Sequence, residues 1–568
     1  MTLTDQPALP FGVALPPVAP RTTVNLSGAT DLVAPRTFEA GIPMRDGIEL
    51  AADVHVPAAA DLPAPAIVTG TPYGKSSIDD LRPYRDAGYV AIEYDVRGRG
   101  KSEGEWNPLA NDGPDGYDVV EWAAAQDWCN GEVGVSGLSY GGWVVWATIA
   151  NKPPHLRAAV STSAEGRHLE EFPYTHGCLW LYLAFWFCWV RRRINVLDHD
   201  LTELVKVLPV RSIGDIIHVG GLGWEEWMDH DTLDDYWMQR RWDGHYDFDV
   251  PCLHVTGWHD REDIHGAFHH YEQMMATSPA KAQQWLLVGP WSHFSCRWSD
   301  DQYAGIEYPD AALDMTEIHV KFFDRFLRGE RNGVDEEPKV RLYDPGARRW
   351  TTRAAWKGET SEQTLFLAPN RALAPEPGPD TVDEYVYDPT QPPGVWFDVQ
   401  QIPWEPTLDL RALQAHDGVL TWTGESLAER VTLRGWGEVE LWAATDCEDT
   451  DWHVKLADLD QGGQPLCVAW GCLRASYAPD PRAPMPVPPG EIRRYTIELT
   501  PAFHTFQPGH RIQLVLASAE YPWFARNLNQ SGRIADQEEP RVATNVVYGG
   551  SHRPSCVRLP VESSDRTG

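Results

Sequence analysis

The chain is poor in positive charge, with 48 Lys and Arg against 82 Asp and Glu in 568 residues and a formal charge of −34. A surface with that balance repels polyphosphate backbones and anionic bilayers, so neither nucleic acid nor a membrane is expected as a partner. Cysteine is sparse as well. Its nine copies are odd in number, scattered, and include no C-x-x-C spacing, which excludes a disulfide framework and argues for reduced, partly buried thiols and no zinc site. Long apolar runs are missing. The most apolar one, Cys178 to Val190 (CLWLYLAFWFCWV), falls short of the ~20 residues a bilayer span needs and reads as a buried helix. The N-terminal stretch MTLTDQPALPFGVALPPVAP has neither the basic region nor the apolar core of an export signal, so a cytoplasmic location is expected. Material for burial is ample, at 42% hydrophobic residues and 26 Trp, and the length calls for more than one core.

The chain is organised around residues 131–150, GEVGVSGLSYGGWVVWATIA, which read as strand, glycine-dense corner, helix. At the corner lies Gly137-Leu138-Ser139-Tyr140-Gly141, a G-x-S-x-G that would hold Ser139 on a strained turn, with the helix start aimed at the same spot. The pattern alone is weak, and its surroundings must support it.

They do so by alternation. Met44 to Leu50 carries Asp46-Gly47 and signals a hairpin. Ala66 to Gly70 reads as a buried strand running into Thr71-Pro72-Tyr73-Gly74-Lys75, Leu81 to Gly88 as helix, and Val90 to Val96 as strand. The basic Arg97 to Ser102 that follows lacks P-loop spacing and reads as a solvated turn. Pro114 to Gln126 reads as helix and Leu156 to Thr162 as strand. Such a succession predicts a parallel, doubly wound sheet. From Gly166 to Asp247 the strand rhythm stops, and an aromatic-rich helical insertion is expected to lie over the sheet's C-terminal edge. The sheet resumes with strands at Pro251 to Thr256 and Gln284 to Val288 and helices at Ile264 to Thr277 and Ala311 to Arg328. Beyond Glu330 to Pro338, short β-rich runs beginning with Val340 to Tyr343 predict an all-β sandwich. The expected division is an N-terminal arm (1–36), an α/β domain in two parts (37–165 and 248–330), a helical cap (166–247) and a β-sandwich (338–568).

A nucleophilic serine needs a base and a group to orient it. Each resumed strand is followed by one. Gly257-Trp258-His259-Asp260 follows the first and Gly289-Pro290-Trp291-Ser292-His293 the second, in the order Ser, Asp, His of an α/β-hydrolase. Asp260 would hold His293, and His293 would take the Ser139 proton. A lone loop Asp is usually a cap and a lone loop His merely exposed, but order and position agree here. Tyr73, on an early strand-end loop, stands where an oxyanion donor is needed.

The elbow GLSYGG, the TPYGK loop, the G-W-x-D segment, GPWSH and the FFDRFLRG helix before the sandwich together resemble the cocaine-esterase and X-Pro dipeptidyl-peptidase-like serine hydrolases over about residues 37 to 560. The resemblance implies an α/β-hydrolase domain, a helical cap and a C-terminal jelly roll, a triad of Ser139, Asp260 and His293, and an oxyanion hole made by the Tyr73 hydroxyl and the Tyr140 backbone N–H. It implies an acyl-enzyme mechanism on a small-molecule ester or amide, with no cofactor and no metal. Oligomeric state, a homo-oligomer included, is left open.

Substrate choice rests on Asp260-Arg261-Glu262-Asp263-Ile264-His265-Gly266-Ala267. Carboxylates at a site's rim can bind a substrate ammonium, and this D-x-E-D before Gly-Ala resembles the α-amino acid ester hydrolase branch. Glu262 and Asp263 are its candidate ammonium ligands, joined by Glu170 or, preferred, Glu171. The bland alternative is that Glu262 and Asp263 only complement the dipole of the following helix. That branch is known mainly as exported enzymes, and this sequence shows no export signal. A carboxylesterase for neutral aromatic esters would share the triad without an ammonium pocket, and an X-Pro dipeptidyl peptidase would cut amides. A carbohydrate-binding protein with an inert hydrolase domain is disfavoured by the intact set of catalytic residue types.

Overall fold

A computed structural model of the chain describes residues 34–75, 81–191, 201–394 and 407–562. The expected arm falls almost wholly outside them. Strands β1 (Arg36–Pro43) and β2 (Glu49–Val56) pair antiparallel, Pro43 opposite Glu49, so Asp46-Gly47 makes the hairpin corner. There follow β3 (Ala64–Thr71), helix α1 (Arg82–Asp86), β4 (Val90–Asp95), α2 (Asp112–Ala124), β5 (Cys129–Leu138), α3 (Tyr140–Ala150) and β6 (Leu156–Thr162). Beyond the short pair β7 (Tyr174–Thr175) and β8 (Cys178–Leu179), the sheet resumes with β9 (Cys252–His259) and β10 (Gln284–Ser292).

The sheet order is β1-β2-β4-β3-β5-β6-β9-β10, continued by Val340–Asp344 and Arg349–Arg353. From β4 to the Val340–Asp344 strand every neighbour runs parallel. Parallel neighbours need crossovers that cover the sheet's faces, and every residue of β3, β4 and β10 is buried accordingly. This is an α/β-hydrolase sheet, and the loops at the C-terminal ends of β3, β5, β6, β9 and β10 open on one edge.

Val340 to Tyr343, expected as the first sandwich strand, belongs instead to this sheet, with Leu286 opposite Val340 and Val288 opposite Leu342. The reason lies in its alternation. Val340 and Leu342 pack with Phe268 and Tyr271 of the Ile264–Thr277 helix and with Trp356, in a core to which the sandwich adds Phe503. The Cys178-to-Val190 run is not one helix either. Gly177, at φ 88°, turns β8 back on β7, and helix α4 begins only at Leu183, running to Arg191. Elsewhere the described cap consists of short helices, Leu201–Leu204, Ile213–Ile216, Trp224–Asp229 and Asp235–Met238. Much of its tryptophan is plain core, since Trp224, Trp227 and Trp237 are fully buried.

The C-terminal region is a separate all-β domain of 11 strands with its own core. One long strand, Val431–Thr445, shifts its register against Arg493–Phe506 between Trp436 and Glu438. A bulge of this kind bends a long strand without ending it.

Candidate active site

Ser139 stands alone between the last residue of β5 and the first of α3, at φ 61° and ψ −128°. A non-glycine residue pays for such a backbone and keeps it only when its surroundings enforce it. Here the Ser139 N–H donates to the carbonyls of Thr162 (3.1 Å) and Ser163 (2.9 Å) at the end of β6. The flanking glycines are required by space, since a Cβ on Gly137 would stand 2.2 Å from the Gly141 carbonyl oxygen and one on Gly142 2.8 Å from Ala164 Cβ. Tyr140 opens α3, so its N–H has no carbonyl four residues back and sits at the positive end of the helix. The Tyr140 side chain points elsewhere and is anchored, donating to Asp112 Oδ2 (3.0 Å) and accepting from the Leu109 N–H (3.0 Å).

Tyr73, two residues past β3, is buried, and its hydroxyl accepts from Trp186 Nε1 at 3.1 Å. It also shares a hydrogen bond with the Ser139 hydroxyl. Its ring stacks on Trp189 of α4 with centroids 4.7 Å apart, so the cap and the β3 loop position it jointly. Burial outweighs these hydrogen bonds and keeps the phenol well above its ordinary range, neutral and fit to donate.

Asp260 follows β9 and His293 follows β10. Asp260 Oδ1 lies 3.2 Å from His293 Nδ1 and accepts the backbone N–H groups of Glu262 (3.0 Å) and Asp263 (3.1 Å). Burial opposes ionisation of Asp260, but His293 and these hydrogen bonds prevail and hold it below the usual carboxylate range. On the far side of the ring, His293 Nε2 is 3.7 Å from Glu262 Oε2, and Nδ1 is also 3.7 Å from Asp263 Oδ2. Burial disfavours the imidazolium, yet Glu262 and Asp260 outweigh it and raise His293 to about 9. Among the described residues no hydrogen bond joins Ser139 to His293 Nε2. The structure thus brings Ser139 to Tyr73 and His293 to Asp260, and leaves the proton-transfer contact between the two pairs unmade, as in many ligand-free sites.

The acids form one cluster with a division of labour. Glu171 is fully buried and saturated by backbone donors, its oxygens accepting from Gly166 (3.0 Å), Arg167 (3.1 Å) and Gly266 (2.6 Å). Gly266 allows this approach, because a Cβ there would meet the Ala164 carbonyl oxygen at 2.4 Å. Glu171 therefore staples the cap's start to the Ile264–Thr277 helix. Asp263 precedes that helix without a side-chain capping bond, so capping does not explain it. Sequence reasoning missed Glu165. It sits three residues past β6, buried, with its own backbone N–H as a hydrogen-bond donor to its carboxylate. The signal was available, since an acid just beyond a parallel strand's end is the same cue that singled out Asp260. Burial raises Glu165 to about 8 and Glu171 to about 7, and burial with the neighbouring Glu165 and Asp260 carboxylates raises Asp263 well above its ordinary value. Tyr182 was also missed. Its hydroxyl bonds to Glu262, while its place in an unbroken apolar run suggested only core. Two cavities of about 290 and 300 Å³ lie away from Ser139, one behind β5 against Thr316 and His319 and one between β9 and the sandwich.

Comparison with known proteins fits this architecture. Residues 46–295 match the model of the X-Pro dipeptidyl-peptidase (S15 family), and residues 332–558 that of the X-Pro dipeptidyl-peptidase C-terminal non-catalytic domain. The cocaine esterase of Rhodococcus sp. (strain MB1 Bresler) is 28% identical over 573 aligned positions covering 92% of this chain and 97% of that protein. Among solved structures, an α-amino acid ester hydrolase superposes with a TM-score of 0.84 at 24% identity, covering 95% of this chain and 100% of that one. An aminopeptidase from the marine sediment archaeon Thaumarchaeota archaeon gives 0.85 at 24% identity over 94% and 97%. A sheet whose strand ends carry a strained serine, an Asp-His pair and a buried tyrosine hydroxyl, joined to a C-terminal all-β domain, thus meets its relatives along nearly its whole length: the chain belongs to the X-Pro dipeptidyl-peptidase-like (S15-type) serine hydrolases, which cleave esters and amides.

Proposed function

We propose that Ser139 is the nucleophile, His293 its general base and Asp260 the group that orients His293, with the Tyr73 hydroxyl and the Tyr140 N–H stabilising the oxyanion, in a hydrolase for α-amino acyl esters or amides. Ser139 attacks the substrate carbonyl as His293 takes its proton. The tetrahedral oxyanion meets two donors, the leaving group departs with the proton from His293, and water releases the acyl group by the same steps. The substrate preference rests on one observation, the excess of buried carboxylates around His293. Glu262, Asp263 and Glu165 form the pocket for the ammonium, and Glu171, expected as the third ligand, serves it by holding the cap in place. A buried cluster with more acids than cations is costly, and a substrate ammonium offsets that cost through charge-assisted hydrogen bonds.

A second reading, hydrolysis of neutral aromatic esters, is favoured by the raised protonation of Glu165 and Asp263 and by the aromatic wall of Trp186, Trp189 and Phe294 beside Tyr73. Amino-acid p-nitrophenyl esters and p-nitroanilides, each with and without the free α-amine, separate the two. Replacing Glu262 and Asp263 by their amides should lower kcat/KM for the amine substrates by about 10- to 150-fold, the worth of one charge-assisted bond, and leave neutral esters nearly unchanged. Equal losses on both types would remove the ammonium pocket.

A further inference from the structure

Behind the entry of the cap lies a second polar cluster that the hydrolytic chemistry does not use. Asp451 and His453 alternate along the Asp451–Leu459 strand of the sandwich, so both side chains project from one face. Cys472, on the neighbouring Pro465–Arg474 strand, is the register partner of His453. Cys178 of β8 comes down on them from the cap. The ligand atoms of Cys178, Asp451 and His453 all lie within 4.8 Å of one another, and the Cys178 thiol contacts that of Cys472. All four residues are buried, Cys178, Asp451 and Cys472 completely and His453 to 3% exposure.

Few protein atoms from outside answer this cluster. The Cys472 thiol donates to the Thr175 carbonyl at 3.5 Å, whereas the His453 ring faces only its cluster neighbours Asp451 and Cys178, and among the described residues neither ring nitrogen nor Asp451 Oδ2 has a well-formed hydrogen bond. His453 Nε2 and Asp451 Oδ2 stand 3.9 Å apart, too far for a hydrogen bond and near the edge length of about 3.3 to 3.8 Å that separates N, O and S ligands around a tetrahedral zinc. Leaving a buried imidazole and a buried carboxylate oxygen unsatisfied is costly. Asp451 Oδ1, by contrast, accepts from Asn527 Nδ2 at 2.7 Å. One carboxylate oxygen is thus held and the other left as a single donor, the outer-shell arrangement that orients metal ligands.

We propose that Cys178, His453 and Asp451 bind a structural zinc ion that fastens the cap's entry to the sandwich, with Cys472, whose thiol donates to the Thr175 carbonyl at 3.5 Å, turning in as the fourth ligand. Two thiolates, an imidazole and a carboxylate suit a borderline-soft, tetrahedral ion. On loading, each thiol gives its proton to solvent and an S–Zn bond replaces an S–H bond, with nothing oxidised. The three anionic ligands exceed the ion's charge by one; the fully buried Arg474, the register partner of Asp451, is itself paired with Asp449 at 2.6 Å. The four positions are far apart in sequence, which is why no zinc spacing was visible. The anchor would sit close to the active site, because Glu171 lies seven residues before Cys178 and Tyr182, which bonds to Glu262, four after it.

The test is the zinc content of the whole purified chain after dialysis and after reconstitution with zinc ion alone, together with Tm in zinc and in chelator. About one equivalent should be retained, and the chelator should lower Tm in the wild type. Cys178→Ser and His453→Gln should each lose the metal and the chelator response. Cobalt should give a thiolate-to-cobalt charge-transfer band that Cys178→Ser removes. A wild-type chain that takes up less than about a tenth of an equivalent, with a Tm indifferent to zinc and chelator, overturns the site whether or not the variants fold. Zinc retained undiminished in both variants, or a Cys178–Cys472 disulfide in protein purified without reductant, overturns it equally.

Discussion

Two buried ionic clusters meet at the peptide bond between Asp260 and Arg261, and they are built on opposite plans. On one side Arg261 pairs with Glu520, which also takes Lys455 at 2.7 Å, and the guanidinium lies over Trp470 (4.9 Å) and Trp523 (5.2 Å). The two cations there share one carboxylate, so this cluster carries one positive charge in excess, laid against aromatic faces. On the other side a single imidazole faces Asp260, Glu262 and Asp263, with Glu165 and Glu171 behind them. The first cluster joins the catalytic loop to the sandwich. The second is left with negative charge in excess, so it must either hold protons or take a cation. The cationic cluster ties the loop to the sandwich, and the acidic one, beside the proposed nucleophile, is the proposed binding site.

The largest effect should come from the nucleophile. Ser139→Ala should lower kcat on the order of 10⁶-fold, abolish fluorophosphonate labelling and leave Tm nearly unchanged. Labelling that survives would move the chemistry off the acidic side altogether. On the cationic side, Glu520→Gln strands Arg261 and Lys455 together and should cost about 3–5 kcal/mol in denaturant unfolding. The preference for amine over neutral substrates should persist in that variant, and a loss of preference with little loss of stability would reverse the roles assigned to the two clusters. Tyr73→Phe should lower kcat by about 10²- to 10³-fold with KM little changed. A loss confined to KM would make Tyr73 a binding residue.

The smallest effect concerns pH. The proposed base His293 can act only when neutral, and the surrounding carboxylates hold it at about 9 in the free enzyme, so kcat/KM for a neutral ester should rise with pH through that region. A bound ammonium offsets the same carboxylates and should release the ring's proton earlier. The acidic limb of kcat for amine substrates should therefore lie below that for neutral esters, by about one unit if the ammonium removes some 1.4 kcal/mol of the imidazolium's stabilisation. Coincident limbs would mean that the two substrate types leave the cluster equally charged.

What was legible in the sequence follows the physics of each element. Strands buried on both faces announce themselves by composition, and Leu156–Thr162 and Ile264–Thr277 lie where periodicity and punctuation put them. Ser139, Asp260, His293 and Tyr73 were legible because each directly follows, or stands two residues past, a parallel strand, and such positions share one edge whatever the intervening loops do. Contacts between distant segments were not legible. Whether Glu171 faces a substrate or three backbone N–H groups depends on how closely Gly266 approaches Gly166, and spacing cannot report that. Tyr182 and Trp186 were hidden for another reason, since in a run apolar on every side the residues that turn a polar atom toward the site look like their neighbours. The sheet's last strands were assigned to the wrong partner because Val340 and Leu342 satisfy either core by pattern and only the packing on Phe268 decides.

That last strand bears on how the molecule can be taken apart. A chain cut between residues 295 and 332, where the two family models divide, would keep β10 but lose Val340–Asp344, which hydrogen-bonds along it. The strand leading directly into His293 would then be a bare edge, offering its unpaired N–H and carbonyl groups to any other copy in solution. A catalytic fragment ending there should aggregate through the strand that carries its own base, whereas one extended past Arg353 keeps that edge capped by the chain's own hairpin. The functional boundary of the hydrolase half therefore lies inside what sequence comparison assigns to the other domain.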